Sequence, residues 1–114
     1  MAGAKRIPSG VPTGWDVLQH EILGEQAATI GRLAQALRES LDALRAFDER
    51  AAGSAAVPDR RDPERLRLVD GAAYALFNFV VQRDCAGLRG TEHILKEYAV
   101  PGDVRARMGV ARVR

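Results

Sequence analysis

A single cysteine, Cys85, rules out any disulfide within the chain, and a lone thiol fits a reducing compartment better than a secreted one. There is no long apolar run either. The most apolar stretch, Ala72 to Val81, is about half of the roughly 20 residues a membrane span requires. No segment keeps the period-two alternation of a half-buried strand, which argues against a sheet. No internal repeat or long low-complexity tract interrupts the chain. Residues 1–12 contain Lys5 and Arg6 without a following apolar core, so they read as a flexible arm and not as a secretory signal. What remains is a chain of 114 residues, 46% hydrophobic and 28% charged, the profile of one globular domain large enough to bury its own core.

The net charge of +2 conceals an asymmetry. Residues 13–50 hold seven acids against four arginines, a balance of −3, and residues 87–114 hold six bases against three acids, +3. Such a field can orient two copies against each other or favour an anionic partner, although most charge of this kind simply faces solvent.

Hydrophobic spacing predicts an all-α fold. Thr13 and Asp16 have the spacing of a capping box. From there Trp15, Leu18, Ile22, Ile30, Leu33, Leu37, Leu41, Leu44 and Phe47 recur at steps that keep one helix face apolar. The predicted first helix covers about 14–52, with Gly53 beyond its end. Gly24 and Gly31 either admit close approach of another helix or mark a bend, and any break is expected between them. After a loop, Asp62 and Pro63 supply an N-cap and a first helical residue for a second helix over 63–86, stopped by Gly87. This helix is apolar almost all round, the pattern of an element sandwiched between others. Leu76 and Val80 are its expected fully buried residues. Thr91 is placed to cap a short helix over 91–99, packing through Ile94, Leu95 and Tyr98. Pro101 is placed as the first residue of a last one over 101–108, before Gly109. The domain is thus 13–109, a long helical hairpin with two short C-terminal helices, followed by a frayed tail over 110–114.

No motif assigns a reaction. His20-Glu21 lacks the second histidine a zinc-protease helix needs, because position 24 is Gly24. Cys85 and His93 invite a nucleophile–base reading, but a helix C-terminus opposes a thiolate. Arg83, Asp84 and Arg89 form a candidate polar cluster or partner contact where the second helix meets the last two. Their simpler role is to satisfy loop carbonyls and each other. The GxxG of Gly87–Gly90 resembles a nucleic-acid-clamping loop, yet the module that uses it also needs strands. Residues 95–109 resemble a helix-turn-helix, with Arg105 and Arg107 as candidate nucleic-acid contacts. Against this, the second helix is short, Ala99 stands where a turn glycine is usual, and acids interleave with the bases.

The Gly87-Leu88-Arg89 turn, the step Tyr98-Ala99-Val100-Pro101 and the closing Met108-Gly109 lie within residues 82–109. On these motifs the chain resembles a small bacterial all-helical family of unknown function. The resemblance implies the helical boundaries and no activity.

Helix lengths carry the functional expectation. The first helix is about 57 Å long and the second about 36 Å, so a hairpin leaves roughly 20 Å unmatched. Trp15, Leu18 and Ile22 fall on that overhang as a candidate oligomer interface, because apolar residues there need cover. The sequence therefore predicts a cytoplasmic homo-oligomer, a dimer in the simplest case, acting as an interaction or regulatory module toward a protein partner. It predicts no enzyme activity, cofactor or metal and no membrane association. Nucleic acid is the disfavoured alternative, through a C-terminal DNA-binding segment.

Overall fold

The computed structural model describes residues 13–54 and 59–108. The arm expected over 1–12, the tail over 110–114, Gly109 and part of the connecting loop lie outside them. Four helices follow in order: α1 Gly14–Ala52, α2 Pro63–Cys85, α3 Thr91–Glu97 and α4 Gly102–Arg107, with no strand among the described residues. α1 begins as its sequence dictates. The Thr13 hydroxyl accepts from the Asp16 N–H at 3.0 Å, and the Asp16 carboxylate accepts from the Thr13 N–H at 3.2 Å, the reciprocal bonds of a capping box. The helix runs unbroken through Gly24 and Gly31, and a methyl group added at either would meet nothing within 4 Å. Close packing inside this chain therefore requires neither glycine.

At the start of α2, Asp62 accepts from the N–H groups of Glu64 and Arg65, and Pro63 occupies the first turn. The helix ends in a left-handed residue, Gly87 (φ 80°), where the Leu88 N–H reaches the Arg83 carbonyl and the Gly87 N–H that of Asp84. These two bonds satisfy carbonyls that would otherwise be orphaned.

Three sequence expectations shift here. Thr91 does not cap α3. Gly90, at φ 101°, is the N-cap and its carbonyl accepts from Ile94, so the helix starts before a Thr91 cap could act. α3 stops at Glu97 and not at 99, because Ala99 turns left-handed (φ 51°) and lets the Val100 N–H bond back to Leu95. Pro101 is the N-cap of α4 and not its first residue: its ψ of 153° is extended, while its carbonyl accepts from Val104 and Arg105.

The core gathers Leu37, Leu41 and Leu44 of α1 with Val69, Ala72, Ala73, Ala75, Leu76 and Phe79 of α2. Ile94 and Leu95 of α3 and Val104 of α4 close it. The three alanines let neighbouring helices approach closely, and α2 packs against both α1 and α4. Leu76 is fully buried, but Val80 is only partly so. It lies at the margin of the arc running through Ala72, Leu76 and Phe79.

Candidate functional site

Every residue of α1 that is fully buried lies between positions 37 and 44. N-terminal to them the helix leaves the body, since α1 has 39 residues and α2 only 23, a mismatch of about 24 Å at 1.5 Å per residue. This arm is apolar but uncovered. Trp15 is 64% exposed, Leu18 47% and Ile22 52%, as are Val17 and Leu23 to similar extents. Leu23 was not singled out from sequence, although the signal was there. It precedes Ile30, Leu37 and Leu44 at intervals of seven, on the stripe that enters the core. Trp15 and Ile22 flank the same stripe. The arm is also acidic: between Thr13 and Gly31 it carries Asp16, Glu21 and Glu25 and no lysine or arginine.

A second set of exposed apolar residues lies on α2. Leu66, Tyr74 and Val81 are 47%, 50% and 38% exposed, with Phe77 half-buried among them. Their spacing places them on one line, across the helix from Ala72, Ala75 and Phe79. Asp70 lies on the same line and is held by Arg107 of α4 at 2.6 Å, so this side of α2 is apolar only in part.

Polar side chains knit the body together. Arg65, with only 11% of its side chain exposed, donates from Nε and Nη2 to the two oxygens of Asp48 (2.8 and 3.0 Å) and from Nη1 to Asp103 (2.7 Å). One guanidinium thus ties α1, α2 and α4 in the fork geometry that suits arginine. The hydrogen bonds from Arg65 hold the Asp48 carboxyl below its ordinary value, against the opposing effect of burial. The same bonds raise the Arg65 pKa further, so this cation is permanent. No sequence signal could have found this cluster, because its partners lie 17 and 38 residues apart.

The other sequence candidates fall as follows. Arg83 donates to the Arg89 carbonyl (3.2 Å) and stacks over the Phe79 ring, while Asp84 and Arg89 face solvent. Arg107 is held by Asp70 at 2.6 Å and Arg105 by Glu92 at 3.5 Å. α4 has only six residues, and both arginines that a recognition helix would aim at phosphates or base edges face acids instead. Cys85 is exposed at the last residue of α2, and His93 is engaged with Glu97 on its own helix at 3.3 Å. His20 is an exposed residue of the arm. A shallow cavity of about 270 Å³ is lined by Arg38, Leu41, Arg45, Glu97 and Tyr98. Its arginines already donate to Gln35, Asp42 and Tyr98, which leaves little for a ligand to displace. Among the described residues no group of three or more His, Cys, Asp and Glu could hold a metal ion, and no helix is long and apolar enough to cross a membrane.

Fold and surface together define a small all-α protein whose most distinctive feature is an uncovered helical arm. The chain belongs to the family of unknown function DUF6665, which matches residues 8–113. No curated protein and no solved structure matches it.

Proposed function

We propose that this protein is a self-associating interaction module: a cytoplasmic homodimer that works by binding another protein in a structural or regulatory role, and not by catalysis. The observation that supports the reading is the apolar face of the α1 arm, where Trp15, Leu18, Ile22 and Leu23 are each about half exposed or more. Apolar side chains gathered on an arm clear of the core mark an association surface, and closed two-fold assembly is the commonest way a single chain covers one.

Light scattering coupled to size-exclusion chromatography at tens of micromolar tests this. The expected mass is that of a dimer. Trp15→Glu is expected to shift it to the monomer with helical circular dichroism retained, since position 15 touches nothing in the core. A monomeric parent protein at that concentration would overturn the reading.

A further inference from the structure

We infer that the α1 arm of one copy lies antiparallel to α1 of a second copy and fills the groove between that copy's α1 and α2, the contact being repeated about a two-fold axis at Thr29. The inference rests on the self-association reading and names the receiving surface and the register.

The groove belongs to the folded chain. A cleft of about 360 Å³ is bordered by Ala36, Ser40 and Ala43 of α1 and by Arg67 and Gly71 of α2. It lies on the side of α1 opposite Arg38 and Arg45, the residues that meet Tyr98, so the C-terminal helices do not obstruct it. Its walls are small where the arm is large. Along α1, Trp15, Ile22, Thr29, Ala36 and Ala43 recur at intervals of seven, one line that carries bulky side chains on the arm and methyl groups at the groove. When two such helices run antiparallel about Thr29, Trp15 falls opposite Ala43, Ile22 opposite Ala36, and Gln19 opposite Ser40. Large meets small on both halves of a contact about 42 Å long, and small residues at the crossing let two helices approach closely.

Charge fits the same register. Glu25 of the arm falls beside Arg32 of the second copy, and Asp16 falls beside Arg67 at the groove edge. Arg32 donates to the Thr29 hydroxyl at 3.1 Å, and among the described residues no carboxylate pairs with Arg32 or Arg67. Glu39, the acid at the groove, accepts from Gln35 at 3.0 Å and falls opposite Leu18, while Glu21 lies farther round the arm toward solvent. The two-fold axis repeats both opposite-charge pairs, and such pairs fix the register of a contact.

The test uses the full chain with Cys85→Ser and one new cysteine at a time, Ile22→Cys, Thr29→Cys or Ala36→Cys, oxidised at tens of micromolar. A disulfide needs Cα atoms within about 7 Å, so only positions that face each other across the contact can close one. Thr29→Cys is expected to link to itself. Ile22→Cys and Ala36→Cys are expected to link to each other when mixed, and neither to itself. Self-linkage of Ile22→Cys, which sets arm against arm, self-linkage at all three positions, which makes the helices parallel, or no linkage in a dimeric sample would overturn the inference while leaving self-association standing. A monomeric parent would overturn both. Charge exchange gives an independent measurement by sedimentation equilibrium. Glu25→Arg and Arg32→Glu should each weaken the dimer by about threefold or more, with helical circular dichroism retained, and the double variant should recover the parent affinity. A double variant that stays as weak as the singles would remove the register and sink the proposal.

Discussion

Ala99 holds a φ of 51° at the turn that ends α3, a conformation that costs a non-glycine residue roughly 1–2 kcal/mol. The turn is retained because the Ala99 and Val100 N–H groups reach the Lys96 and Leu95 carbonyls at 3.1 and 3.0 Å. Ala99→Gly relieves the strain but adds freedom to the unfolded chain, so the expected net gain is about 0.5–1 kcal/mol. A shift of the urea midpoint to higher concentration would show it. Arg65 and Asp48 set a second expectation. The Asp48 pKa lies below its ordinary 3.8, so its contribution to stability is fully present above that value and is lost as pH falls through the lower folded-state value. Thermal midpoints should therefore fall as pH drops below about 4, and Asp48→Asn should flatten that fall. An identical acid profile in the variant would assign acid sensitivity to other carboxylates.

At the scale of the helix, α1 is one element with two environments. Its C-terminal half is held by α2, while its arm has only its own hydrogen bonds and the Thr13–Asp16 cap. Isolated helices are only marginally stable in water, so within this chain the arm is supported by the cap and by continuity with the buried half. Gly24 and Gly31 lie on the side of the helix away from Trp15 and Ile22, with nothing within 4 Å of an added methyl group. Gly24→Ala and Gly31→Ala should each stabilise the helix by up to about 1 kcal/mol, raising thermal stability without weakening the dimer. A loss of assembly would mean that the partner approaches along the glycines instead.

Much of this element-level structure was readable in the sequence. Thr13-x-x-Asp16, Asp62-Pro63 and Gly87 act through neighbours within a few positions, and the bounds of α1 and α2 follow from them to within a residue. Trp15, Leu18 and Ile22 were legible as an overhang because two helix lengths can be subtracted. The end of α3 was not, because Ala99 adopts a backbone state that its side chain disfavours and that only the closing turn enforces. The outer face of α2 was hidden for a different reason. A helix apolar all round does not say which side its own chain will cover, and that depends on where α1, α3 and α4 come to rest.

For the whole molecule, extents of 81 × 28 × 21 Å describe a rod and not a sphere. Among the described residues the fully buried ones all come from Leu37 onward, so one end of the rod carries the core and the other carries the exposed arm. Acidic and mixed-charge ends follow the same division. Among the described residues, positive charge near the C-terminal helices is met locally by acids, Arg107 by Asp70 and Arg105 by Glu92.

The only tryptophan of the chain sits in that exposed end, 64% exposed at the second residue of α1. Its indole is therefore an intrinsic optical gauge of the arm's surroundings, free of signal from the core. Dilution from tens of micromolar to about 0.1 µM shifts a mass-action equilibrium toward the free chain, and the emission maximum should move to longer wavelength as the indole meets water. The midpoint of that red shift should coincide with the dimer dissociation constant from scattering. Constant emission across a measured dissociation would mean that the arm is wet in both states. With coincidence, ordinary fluorescence on unlabelled protein would report arm occupancy, and a foreign partner that takes the second copy's place would reveal itself by colour before it had been identified.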